Sequence, residues 1–456
     1  SVQYALRSGT INSDTVFTSA ESPYVITGNL TIASGKTLTI QAGTAVKFSG
    51  PYSLFVDGAL QLNGTSVDPV VITSIRDNAY GGDLNGNASS SIPAARDWNS
   101  IEFRSGSSST SLIDHALIRY GGVVADSGTS PTVNNSTIEY AYQSGILLQN
   151  SSSTIRNTIV RNITGDSSAA GIYIQGGHDT VSGSTITNNI IGVKIEASAR
   201  PTVSSNVFSG NTAYPILVSS AYPVMSDNSA SGNALNGIIL NGVASDSMTF
   251  SGTIPYVIPA NGTFSVASGR TVTMNPDVVL KFQNNLGRLI INGILNIVGS
   301  EGHEAIVTSF TDDGHGGDTN ADGLSSGAPG EAGQVIVSSG SGTSTISYTK
   351  FLYGGTFFAG GGVPGASLEI SSTNAVISHA TFQNNDRRGL WLLSSPGSII
   401  TDSLFSDHMG TNASALYVES SFPTVGNLTF RNNRTAISGQ FSEVTISSPI
   451  DIDSSN

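Results

Sequence analysis

The 456-residue sequence has no cysteine, so no disulfide framework holds it together. Charge is scarce as well: Asp, Glu, Lys and Arg make up 11% of residues, against roughly 25% in an average soluble domain. The balance is acidic, with 19 Lys and Arg against 32 Asp and Glu and a net charge of −13. So few cations cannot neutralise many phosphates, which argues against nucleic acid and against anionic membrane surfaces as partners. No stretch approaches the ~18 consecutive apolar residues of a spanning helix, so membrane insertion is not expected. No basic-then-apolar leader opens the sequence, and the expectation is a mature or trimmed segment of a longer chain. Helix-period apolar spacing is nearly missing too, which excludes an α or α/β domain.

What is present is strand material. Hydrophobic residues still reach 38%, enough for a sizeable core, and they come as triplets such as Ile172-Tyr173-Ile174 and Val193-Lys194-Ile195 between Gly, Asn and Ser clusters. An apolar pair five apart returns at Val133/Ile138, Ile155/Val160, Val181/Ile186, Val203/Phe208 and Met225/Ala230, in steps of 22, 26, 22 and 22 residues. A second strand follows each pair, opened by Gly145, Gly171, Gly192, Pro215 or Gly237. Asn189, Asn211 and Asn233 keep the same beat, and so do Asn385, His408 and Asn433 later in the chain. A beat near 22 residues with turns and no helix predicts an all-β fold, a parallel β-solenoid whose coils stack strand on strand. The run Gly360-Gly361-Gly362 reads as a turn, since no helix follows it.

A longer repeat overlies the short one. Pro23-Tyr24-Val25-Ile26 returns as Pro255-Tyr256-Val257-Ile258, Lys47-Phe48 as Lys281-Phe282, Gly81-Gly82-Asp83 as Gly316-Gly317-Asp318, and Tyr120-Gly121-Gly122 as Tyr353-Gly354-Gly355, at offsets of 232 to 235. Two tandem modules are expected, 1–245 and 246–456, with loop insertions near 76–97 and 311–333.

With the Asp97-Trp98 and Ile101 that follow the first Gly-Gly-Asp loop, this series resembles the right-handed parallel β-helix repeat proteins of bacterial and archaeal surfaces, of the pectate-lyase-like fold. The resemblance implies the right-handed fold over nearly the whole chain. It leaves activity open, because such folds carry lyases, hydrolases, epimerases, adhesins and surface-layer components alike.

Oxygen-bearing residues concentrate in the two insertions. Asp318, Asn320 and Asp322 followed by Gly323 repeat the alternation with which calcium loops begin, and Asp312 and Asp313 stand just before them. Where a closing bidentate Glu is due stands Pro329, and Glu331 comes two places late. The first insertion offers Asp77, Asp83, Asn85 and Asn87. Calcium is the expected cofactor, ordering loops that have no apolar anchor of their own. His315 reads as a spacer in this loop.

Other columns follow from stacking. Arg119, Glu139 and Arg161 should form a salt-bridge ladder. The middle residues of the Gly-led triplets should face outward, lining up Leu147, Tyr173, Lys194, Leu217 and Ile239 in one module and Trp391 and Tyr417 in the other, the last two with rings side by side. Tyr173, Lys194, Trp391 and Tyr417 are thus a candidate binding surface, while Arg387 and Arg388 read as solvent-facing loop residues. No Gly-x-Ser-x-Gly elbow, clustered Asp triad or paired-histidine spacing is present, and catalytic residues stay unassigned. The leading expectation is a secreted or cell-surface protein with a structural or adhesive role, meeting a polysaccharide, a cell-surface component or its own copies. The alternative is a carbohydrate-active lyase or hydrolase.

Overall fold

A computed structural model describes residues 4–88, 90–338, 342–356 and 365–453. The Gly360-Gly361-Gly362 run lies outside them. The regular structure of the described chain is short strands joined by turns, with one 3₁₀ turn at Ser19–Glu21. It divides into two compact units, Ser1–Leu217 with Asp227–Ala234, and Val218–Ser226 with Leu235–Asn456.

In the first unit a coil consists of three strands, for example Thr154–Arg156, Ile159–Arg161 and Ala170–Gln175. Each lies parallel to its counterpart one coil on, with Ile155 opposite Val181, Val160 opposite Ile186 and Tyr173 opposite Lys194. The apolar pairs set this register: Val133, Ile138, Ile155, Val160, Val181, Ile186, Val203 and Phe208 are all fully buried. A slip of one residue would turn the whole column outward. Fully burying each such side chain contributes about 1.5–3 kcal/mol.

The corners explain the Asn, Ser and Gly content. Asn135, Asn157, Gly183, Ser205 and Asp227 have φ of 47°, 49°, 59°, 55° and 54°, one per coil. That left-handed region suits Gly, Asn and Asp. Gly183 is further constrained, because a Cβ there would sit 2.7 Å from Asn157 Oδ1.

Inside the corners run amide ladders. The Asn189 backbone N–H donates to Asn211 Oδ1 (3.1 Å) and that of Asn211 to Asn233 Oδ1 (3.0 Å). The Nδ2 groups of Asn189 and Asn211 donate to the carbonyls of Val160 and Ile186, each at 3.1 Å. A parallel ladder, which the residue spacing did not single out, joins the Ser184 N–H to Asn206 Oδ1 (2.9 Å) and the Asn206 N–H to Asn228 Oδ1 (3.0 Å). These bonds satisfy buried backbone groups that the bend removes from the sheet.

The second unit has the same grammar with a column of stacked rings in its core. Phe351, Phe382, Phe405 and Phe430 stack through successive coils at centroid separations of 4.9, 4.8 and 5.1 Å, close to the strand spacing. In its ladder Asn385 Nδ2 donates to His408 Nε2 (3.2 Å), and His408 Nδ1 lies 2.8 Å from Asn433 Oδ1. A ring that accepts at one nitrogen and donates at the other is neutral. Burial drives the His408 pKa down to about 4.

Candidate functional site

Both Gly-Gly-Asp loops rest on a buried lysine. Lys47 and Lys281 sit in strands whose every residue is buried, Ala45–Phe48 and Val279–Phe282. The Lys47 amine donates to the carbonyls of Asp77 (2.9 Å) and Gly82 (2.6 Å), and the Lys281 amine to those of Asp312 (2.8 Å) and Gly317 (2.9 Å). Burial pushes both amines below the ordinary lysine range, against the nearby aspartates. The sequence signal was available, a Lys repeated inside an apolar strand before an Asp/Gly loop.

Asp77 and Asp312, expected among the metal ligands, anchor their loops by hydrogen bonds. Asp77 Oδ2 accepts from Thr73 Oγ1 (2.8 Å) and Arg119 (2.5 Å), and its Oδ1 from the Ala79 N–H (3.3 Å). Asp312 Oδ2 accepts from Thr308 Oγ1 (2.6 Å) and lies 2.8 Å from His315 Nδ1. Burial alone would raise the Asp312 carboxyl; the His315 and Thr308 hydrogen bonds outweigh it and hold the group low. Thus His315 fixes this anchor rather than merely spacing the loop.

Asp313, Asp318 and Asp322 do come together, with one ligand oxygen of each within 4.8 Å of the others. Asp318 accepts the Asp322 and Gly323 N–H groups (3.2 and 3.1 Å), and Asn320 Nδ2 donates to Asp322 Oδ2 (2.8 Å). Asp313 Oδ1 and Asn320 Oδ1 are buried without a hydrogen-bond partner. The late Glu331 is engaged elsewhere, by Thr311 Oγ1 (2.7 Å) and the Ala328 N–H (3.0 Å). In the first loop Asp83 accepts the Gly86 and Ala88 N–H groups (3.0 and 2.7 Å). Asn85 and Asn87 both donate to Ser91 Oγ, at 3.1 and 2.6 Å. The side-chain Oδ1 atoms of Asn78, Asn85 and Asn87 are buried and without a hydrogen-bond partner.

The expected Arg119–Glu139–Arg161 column is present. Buried Glu139 receives Arg119 Nε at 2.7 Å and Arg161 Nε at 2.8 Å, and the Arg119 bond to Asp77 ties this ladder to the first loop. Tyr173 and Lys194 also meet, the amine 4.4 Å from the ring centroid. They share a partner: Lys194 pairs with Glu196 (3.2 Å), whose other oxygen accepts from Tyr173 OH (2.5 Å).

In the second unit the outward column reads Ile336, Glu369, Trp391, Tyr417, Ser438. Two expectations about it are corrected. The Trp391 and Tyr417 rings do not lie side by side but edge to face, at 6.1 Å and 76°. Trp391 is also buried, because Arg388, read from sequence as solvent-facing, folds across both rings with its guanidinium 4.6 Å from Trp391 and 3.6 Å from Tyr417. Ile239 of the other column is buried as well. Tyr417 and Glu369 remain part-exposed. Glu369 accepts from Gln334 Nε2 (2.9 Å). Burial pushes its carboxyl up, against that hydrogen bond and the charges of Arg288 and Arg388. The result is a patch with an aromatic face, a flat cation and a carboxyl of raised pKa.

A second concavity had no sequence signature. In the first unit a groove of about 280 Å³ is lined by Arg96, Asn99, Val124, Tyr142, Gln143 and Leu147. The Arg96 guanidinium lies 3.5 Å from the Tyr142 centroid. Arg96 and Gln143 both have left-handed backbones, with φ of 71° and 65°, a conformation that marks local constraint.

Comparison with known proteins bears on the fold. A family described as right handed beta helix region matches residues 121–277, and one described as pectate-lyase like beta helix domain matches residues 9–145. No curated protein sequence matches the chain. A solved structure of a mutant PL6 family alginate lyase aligns over 98% of this chain and 96% of its own, at 8% identity and a TM-score of 0.14, a likeness too low to carry any argument. The family matches over residues 9–145 and 121–277 and the parallel register of each unit give this chain the fold of a right-handed parallel β-helix.

Proposed function

We propose that the chain is a secreted or cell-surface β-helix protein that holds polysaccharide in a structural or adhesive role. The observation that carries this reading is the Glu369–Arg388–Tyr417 patch. Tyr417 and Glu369 are its part-exposed members, an aromatic ring for the C–H side of a sugar and a carboxyl to bond its hydroxyls. The Arg96–Tyr142 groove supports the same reading. Its cation stacked on an aromatic suits a carboxylate-bearing sugar.

A polysaccharide array with the purified chain tests the proposal. Binding to at least one glycan that is lost in Tyr417→Ala supports it, and no binding across neutral and acidic polysaccharides counts against it. A second reading, a carbohydrate-active enzyme, is favoured by one feature: the raised pKa of Glu369 beside Arg388, as a proton-donating carboxyl requires. Depolymerisation that disappears in Glu369→Gln would support that reading over simple binding.

A further inference from the structure

We infer that Arg388 is a displaceable cover on Trp391, and that the Tyr417 patch therefore holds a second, closed aromatic subsite for an uncharged sugar residue. This rests on the polysaccharide reading of that patch and adds a ligand class and a gate.

Trp391 stands in the outward column between Glu369 and Tyr417. Ile336, Glu369, Tyr417 and Ser438 are all part-exposed in that column, so the strand does not by itself bury the position. Trp391 nevertheless keeps only 8% of its surface. Its cover comes from the start of its own strand. Arg388 sits in register between Ala366 and Ser414, and such small neighbours leave room for a long side chain to reach back over the rings.

The closed arrangement serves two polar groups poorly. Trp391 Nε1 is buried without a hydrogen-bond partner, whereas a buried indole N–H ordinarily finds one. Arg388, itself only 8% exposed, has exchanged water for two rings. Burial holds its guanidinium below the ordinary arginine range, against the pull of Tyr417, Glu419 and Glu369. With the cover swung outward, a sugar lies on the indole and one of its hydroxyls accepts from the N–H, while the guanidinium regains water. Such a ligand favours the open state over the closed one, as displacement of a cover requires.

Charge sets the class of sugar. Among the described residues around the patch, Arg288 and Arg388 stand against Glu369 and Glu419, and Arg387 pairs with Asp386. These balanced charges leave no surplus cation for a carboxylate or a sulfate ester, in a chain whose net charge is −13. Hydroxyl groups need no such neutralisation.

Isothermal titration with galactomannan, laminarin and hydroxyethylcellulose, and with polygalacturonate as acidic control, tests the inference on wild type, Tyr417→Ala and Trp391→Phe. At least one uncharged polymer should bind. Trp391→Phe keeps a ring and removes the N–H, and should weaken that binding about fivefold or more. Trp98 is fully buried, so acrylamide quenching of tryptophan fluorescence reports on Trp391. Without glycan, quenching should rise in Arg388→Ala, a result that does not depend on whether Trp391→Phe folds. Binding that is lost in Tyr417→Ala but unchanged in folded Trp391→Phe overturns the subsite and leaves the polysaccharide reading standing. Unchanged quenching in folded Arg388→Ala overturns the cover. Polygalacturonate bound more tightly than every uncharged polymer, and lost in Tyr417→Ala, overturns the uncharged class. No binding of any of these polymers by the wild type overturns the inference and the polysaccharide reading together.

Discussion

Arg388 sits over Tyr417, its guanidinium carbon 3.6 Å from the ring centroid, and over Trp391 at 4.6 Å with the same group. The two aromatic positions therefore have different jobs. Trp391→Ala should lower stability by about 3–5 kcal/mol, as removal of a large buried aromatic does. Tyr417→Ala should leave the melting temperature within a few degrees of the wild type, and differential scanning calorimetry of both variants checks the contrast.

Lys281 is fully buried, with its amine bonded to two loop carbonyls. Lys281→Met retains the apolar stem and removes the donor, leaving the Asp312 and Gly317 carbonyls without it. A loss of about 2–4 kcal/mol is expected. Limited proteolysis should then cut within 311–333 before any other segment.

Glu139 is buried between two arginines. Glu139→Gln keeps the volume and removes the charge; with Arg161 part-exposed and Arg119 still paired with Asp77, a loss of about 1–3 kcal/mol is expected. Thermal unfolding of the variant should show a lowered midpoint at neutral pH.

His408 makes the fold sensitive to acid. Its folded-state pKa is about 4, below the roughly 6.5 of an unfolded histidine. Between those values the unfolded chain binds a proton that the folded chain refuses. The stabilisation is therefore complete above about pH 6.5 and lost as pH falls toward 4, by about 3 kcal/mol. His408→Asn, which restores the residue of the neighbouring coils, should abolish this component in a comparison of unfolding midpoints between neutral pH and the folded-state pKa.

Much of this was readable in the sequence because a solenoid writes its geometry in one dimension. A fixed beat places Asn211 over Asn233 and Glu139 beside Arg161, so counting residues predicts contacts. What counting cannot show is where a long side chain goes after it leaves the backbone. Arg388 was in plain view, but its fold across Trp391 depends on rotamers and on space beside the strand. The same holds for Asp77 and Asp312, whose bonds to Arg119 and Thr308 no spacing announces. The Arg96 groove draws Tyr142 from a later coil, and no local motif announces it.

The proposed function stands or falls on whether the outward face at Tyr417 holds polysaccharide. Affinity electrophoresis of wild type and Tyr417→Ala, through gels containing the polysaccharide selected by the array, measures this directly. Retardation of the wild type is expected, with a dissociation constant at least tenfold weaker in the variant, about 1.4 kcal/mol. Equal retardation of two folded proteins would contradict it.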